Sequence, residues 1–137
     1  MGLTKAREKT RSEKMNTPVL QLNLVVLRSP DIERAAGFYR ALGLDLTLHA
    51  HGTGPQHYAS EHGGMVFELY PQTAKSSPTT GTRIGFKVMS VDAVIQQLTA
   101  IGAVVITPPA DSEWGRRAVV KDLDGHTIEL VTPKTAN

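Results

Sequence analysis

The sequence predicts an α+β domain built from two copies of a strand–helix–three-strand unit. Three observations predict it. Two helical stretches, 29–43 and 90–102, carry apolar residues on one face at five matching positions, offset by 59. Each helical stretch is preceded by one strand-like run and followed by three more. Each half closes on an apolar run that ends in Pro and holds one glutamate: "MVFELYP" (65–71) with Glu68, and "HTIELVTP" (126–133) with Glu129, offset by 61.

The elements follow in order. "LQLNLVVLR" (20–28) is rich in Leu and Val and reads as a strand. In "SPDIERAAGFYRALG" (29–43), Ser29 can cap a helix and Pro30 suits its first turn. Ile32, Ala35, Ala36, Tyr39 and Leu42 then share one face, and Gly43 is placed to end the helix. Strands are expected at 45–51, 56–61 and 64–70, with turns at "GTGP" (52–55) and "HGG" (62–64). "PQTAKSSPTTGT" (71–82) has no periodicity and reads as a linker. The second unit has a strand at 83–89 and a helix at 90–102, with Val91, Val94, Ile95, Leu98 and Ile101 on one face. Strands near 103–107, 116–121 and 126–132 complete it, and "KDLDGH" (121–126) is a hairpin turn signal. Neither unit can cover its sheet alone, so the two are expected to pack together.

Composition narrows the function. Hydrophobic residues make up 40 % of 137, which supports one compact domain, here 18–135, with modules at 20–71 and 82–133. No apolar run is long enough to span a bilayer, and no secretory signal opens the chain. Cysteine is absent, which removes disulfides and thiolate metal sites and fits a cytoplasmic protein. The net charge of +2 is carried by residues 1–17, a basic tail of charge +3 that reads as disordered; the rest carries −1. No basic patch of the kind that holds nucleic acid is present, and no membrane partner is expected.

The stretches "LNLVVLRSPDIERAAGFYRALGL", "RIGFKVMSVDAVIQQLTAIGA", "EWGRR" and "DLDGHTIELVTP" resemble the vicinal oxygen chelate superfamily, which includes glyoxalase I, extradiol dioxygenases and bleomycin-resistance proteins. The resemblance covers about residues 20–133. It implies two βαβββ modules whose eight strands form a half-open barrel around a cavity, helices outside, usually in a homodimer. Alternation then assigns the faces. Met65, Phe67 and Leu69 oppose Val66, Glu68 and Tyr70, while Ile128 and Leu130 oppose Thr127, Glu129 and Val131. The apolar faces suit helix packing, and the mixed faces are expected to line the cavity, with one glutamate from each half.

Metalloenzymes of that superfamily hold a divalent ion with His, Glu, His and Glu from the first, fourth, fifth and eighth strands. The matching positions here are Leu24, Glu68, Arg83 and Glu129. Leu24 cannot coordinate, and Arg83 is always protonated. The resemblance therefore implies a metal-free protein with no cofactor, one that binds a small molecule as bleomycin-resistance proteins do. The alternative is a metal-dependent glyoxalase- or dioxygenase-type enzyme with an atypical ligand set. Two facing carboxylates should raise the pKa of one of them. Arg83 either sits near both and neutralises them or extends to the rim and water. Expected ligand-binding residues are Glu68, Arg83, Glu129, Tyr70, Trp114 and Leu24; Trp114 is either an anchor for its loop or a lid over the cavity. His49, His51, His57 and His62 read as a surface set on a hairpin, with residue 51 opposite 56 and His57 turned away from His49.

Overall fold

The computed structural model describes residues 20–135; the basic tail expected over 1–17 lies outside the described residues. The elements are β1 (Leu24–Ser29), α1 (Ile32–Leu42), β2 (Thr47–His49), β3 (His57–His62), β4 (Met65–Pro71), β5 (Arg83–Lys87), α2 (Val91–Ala100), β6 (Val104–Ser112), β7 (Gly115–Lys121) and β8 (Thr127–Pro133). They form two four-stranded sheets in the orders β1-β4-β3-β2 and β5-β8-β7-β6. Each is one βαβββ module, with its first strand parallel to its last and the others antiparallel. The two sheets are not hydrogen-bonded to each other and remain open.

The helices form where the apolar spacing placed them. The cap of α1 is two residues further on than expected: Asp31, not Ser29, accepts the N–H of Arg34. Ser29 instead accepts the N–H of Asp31 and fixes the approach to the helix. Gly43 ends α1 with φ 128°, a conformation that other residues avoid. Ser90 caps α2 by accepting from Ala93.

One core serves both modules. Leu27, Phe67 and Leu69 of the first sheet, Val120, Ile128 and Leu130 of the second, and Tyr39, Phe38 and Leu98 of the helices belong to a single buried cluster. The helices touch each other inside it. Tyr39 packs edge-on or tilted against Phe38, Phe67 and Phe86, so one ring reaches both sheets.

A polar chain crosses the same junction. The Tyr39 hydroxyl donates to Asp122 Oδ2 at 2.5 Å. His126 Nδ1 donates to the same carboxylate at 2.7 Å, and the backbone N–H groups of Asp124 and His126 donate to Oδ1. His126 Nε2 then accepts from the Thr79 hydroxyl at 2.7 Å, and Thr79 in turn accepts the N–H of Arg28. Helix α1, the linker, β1 and the β7–β8 turn are joined by these bonds. Burial works to raise the pKa of Asp122, but the hydrogen bonds from His126 and Tyr39 outweigh it and hold the carboxyl below its usual range. His126 is 1 % exposed and lies wholly inside this junction.

The second departure is β6. The sequence suggests a short strand to 107, because Pro108 and Pro109 interrupt it. The strand instead runs to Ser112, with register irregularities between Val105 and Thr107 and between Thr107 and Ala110. Prolines are tolerated because β6 is an edge strand whose outer side needs no donors. Glu113 and Trp114 thus form the tip of a tight hairpin rather than a loop. Gly115 closes it at φ 130°, where a side-chain carbon would collide with the Thr132 carbonyl oxygen.

Tyr39→Phe removes one donor from a buried carboxylate and should lower unfolding free energy by about 1.5–3 kcal/mol in urea titration at neutral pH. Because the folded pKa of Asp122 is depressed, its contribution is full above the pKa of an unfolded aspartate. It is lost as pH falls through the lower folded value, so the deficit of the variant should shrink in acid.

Candidate functional site

Alternation turns the mixed face of each sheet away from the shared core. On the first sheet the pairing aligns a lateral row. Arg28 lies beside Tyr70, and His57 beside His49. The His57 and Tyr70 rings stack at 4.4 Å with only 6° between planes. The Arg28 guanidinium sits 5.3 Å from the centre of the Tyr70 ring. The result is a cation and three rings side by side across four strands.

This row depends on the register of the β2–β3 hairpin. His49 pairs with His57, one residue away from the register expected from the "GTGP" turn. The loop is longer and of odd length, and a one-residue slip turns every side chain over. His57 therefore shares the face of His49 and is buried, not turned away. Glu68 lies in the next row, beside Val26, with its Oε2 3.6 Å from His57 Nε2.

On the second sheet Glu129 is gripped from both sides. Arg117 Nε donates to Oε1 at 2.6 Å, and Arg83 donates to Oε2 from Nε at 3.1 Å and from Nη2 at 3.0 Å. Arg117 was not foreseen. Val119 faces Glu129 across the β7–β8 ladder, which puts Arg117 on the diagonal. The hydrogen bond from Arg117, then that from Arg83, holds the Glu129 carboxyl below the usual glutamate range, although partial burial opposes the shift. The expected direction for a facing pair of carboxylates was upward. A carboxylate stabilised this way is a weak base, suited to holding partners rather than removing protons.

The sequence-derived site residues thus fall into groups. Arg83 and Glu129 meet, while Glu68 and Tyr70 meet through His57. Among the described residues no hydrogen bond or ion pair joins Glu68 to Arg83 or Glu129, so Arg83 does not neutralise both carboxylates within one chain. Leu24 begins β1 beside Val66 and is half exposed, and Trp114 stands out at the β6–β7 tip, 66 % exposed. Between the modules lies a cleft of about 450 Å³, lined by Val25, Phe67, Arg83, Ile84 and Phe86 among others.

A family model described as Glyoxalase/Bleomycin resistance protein/Dioxygenase superfamily matches residues 21–130. The chain belongs to that superfamily. An uncharacterized protein of Mycolicibacterium smegmatis is 31 % identical over 114 residues, covering 82 % of this chain and 94 % of its own. Among solved structures, TnmS3, an antibiotic binding protein from Streptomyces sp. CB03234, is 26 % identical with a TM-score of 0.66, covering 86 % of this chain and 99 % of its own. TioX from Micromonospora sp. ML1 is also 26 % identical, with a TM-score of 0.64 over 84 % of this chain and all of its own.

The metal of the superfamily's metalloenzymes does not fit these residues. Leu24 offers no donor atom, Arg83 brings a positive charge, and both oxygens of Glu129 already accept from guanidinium groups.

Arg117→Met should move the Glu129 titration, followed by carboxyl NMR, up towards that of an ordinary glutamate. The depressed pKa means that the pair stabilises the fold above the unfolded glutamate value and loses that effect as pH falls through the folded one. The groups are partly exposed, so the stability difference should stay within about 1 kcal/mol and be widest above roughly pH 5.

Proposed function

We propose that this chain is a small-molecule-binding member of the superfamily that works without the family metal, with its ligand held between the mixed sheet faces of a homodimer. The observation that carries the reading is the grip of Arg83 and Arg117 on Glu129, which puts guanidinium groups where a coordinating imidazole and its ion would lie. The similarity to TnmS3, described as an antibiotic binding protein, supports a ligand of that general kind.

The two mixed faces need a second copy to oppose each other. Strands β1 and β5 each have one unpaired edge, and Leu22 and Leu24 stand 65 % and 48 % exposed along the first of them. Laying β1 of one copy beside β5 of another would join two half-sheets and cover those leucines. It would also bring Leu24, Glu68 and Tyr70 of one copy opposite Arg83 and Glu129 of the other. Such a cavity suits an amphipathic ligand: Leu24 and the edge of the Tyr70 ring offer apolar contact, and the arginines offer donors to acceptor oxygens. Trp114 would stand at the rim.

Trp114 is the sole tryptophan, so its emission reports ligand binding directly. Screening planar and amphipathic antibiotics should give saturable quenching that Glu68→Ala and Glu129→Ala each weaken at least about tenfold, or 1.4 kcal/mol. Mixing equal amounts of the two variants should restore about a quarter of the sites, because half of the dimers are then mixed and one of the two composite cavities in each carries both glutamates. No recovery on mixing, or a monomer by sedimentation at micromolar concentration, would rule out the shared cavity. Elemental analysis finding one ion per chain that is lost in Glu129→Ala would rule out the metal-free reading.

A further inference from the structure

Three imidazoles crowd the outer end of the first mixed face. The ring centres of His49, His51 and His57 are 5.7 Å apart in every pair, an equilateral triangle. The point midway between them lies about 3.3 Å from each ring centre. An imidazole bonded to zinc through nitrogen at roughly 2.0–2.1 Å puts its ring centre at nearly that distance from the ion. A fourth donor is adjacent: Glu68 Oε2 stands 3.6 Å from His57 Nε2. That is beyond hydrogen-bond range but is about the spacing of two donors in a tetrahedral shell.

His57 is arranged as metal-bound histidines are. Its Nδ1 faces the Pro55 carbonyl oxygen at 3.3 Å, which leaves Nε2 turned towards Glu68. A backbone acceptor on the far nitrogen fixes the tautomer and orients the ring towards an ion. His57 is held from behind by Tyr70, and His49 by strand pairing, while His51 is on the exposed loop. The His57 ring is therefore fixed, the His49 ring can turn on a fixed backbone, and His51 can move to close the site.

From this geometry we infer that His49, His51, His57 and Glu68 form a site for a divalent transition cation that favours imidazole, such as Zn(II), Ni(II) or Cu(II). The rings lie at 23°, 21° and 42° to one another; their donor atoms are not gathered within 4.8 Å, and binding requires His49 and His51 to turn about their side-chain bonds. For histidine the outer torsion is broad and permits this. The rival cluster is Asp122, Asp124 and His126, whose donor atoms lie within 4.8 Å of one another. There the Asp122 oxygens already accept from Tyr39, His126 and two backbone N–H groups, and His126 is bonded at both nitrogens, so an ion would have to break the junction between the modules.

The site lies within one chain and on one sheet, so its test does not depend on the dimeric cavity. The full chain, stripped with EDTA, is titrated with Zn(II) and Ni(II) by calorimetry and with Cu(II) by electron paramagnetic resonance. The expected result is one ion per chain, with imidazole nitrogens in the Cu(II) spectrum. His51→Gln and His49→Gln, neither fully buried, should each weaken binding at least about tenfold and reduce the nitrogen count. His62→Gln and Asp124→Asn should leave binding unchanged. An affinity and spectrum unaltered by His51→Gln would overturn the assignment, as would binding abolished by His62→Gln or Asp124→Asn.

Discussion

A charged carboxylate buried between two half-domains is the constraint on which the remaining structure depends. Neither module can cover its own sheet, so the apolar faces of both are brought onto α1 and α2 and share one core. Hydrophobic contact alone is non-directional and would tolerate sliding of one module over the other. Asp122 removes that freedom. It accepts from Tyr39, on the helix of the first module, while its remaining capacity is used by His126 and the N–H groups of its own turn. Any sliding that broke the Tyr39 bond would leave a buried donor and an under-satisfied charge. The relative placement of the mixed faces follows from this single pinned junction.

Much of the fold was legible in the sequence because its duplication is written into helix faces. Five apolar positions recurring at a fixed offset name both helices and the order of strands around them. The exceptions have physical causes. Pro108 and Pro109 read as the end of a strand because a proline cannot donate to a ladder, yet an edge strand asks for donors on one side only. The turn at 121–126 was legible, but not the burial of Asp122 and His126 within it, which is set by Tyr39 and Thr79 arriving from distant parts of the chain.

For the candidate site, the sheet face of single residues was legible, but not their arrangement. Glu129 and Arg83 could be placed on one face from alternation. Arg117 could not, because its contact depends on cross-strand register, and register is fixed by the hairpin as a whole. The β2–β3 hairpin shows the sensitivity of this information. One residue of loop length decides whether His57 joins His49 and Tyr70 or faces the core, and local turn chemistry does not reveal that parity.

The irregular, proline-bearing β6 has a further consequence for growth of the sheet. Each module has two borders, formed by its first and second strands in chain order: β1 and β2 in one sheet, β5 and β6 in the other. The distant border of the second sheet is broken by two prolines and two register shifts, and that of the first is only three residues long. Neither offers the continuous row of donors and acceptors that a neighbouring strand requires. Extension is thereby confined to the β1 and β5 borders. The prolines and the short strand thus guard two of the four sheet borders against uncontrolled pairing with other chains.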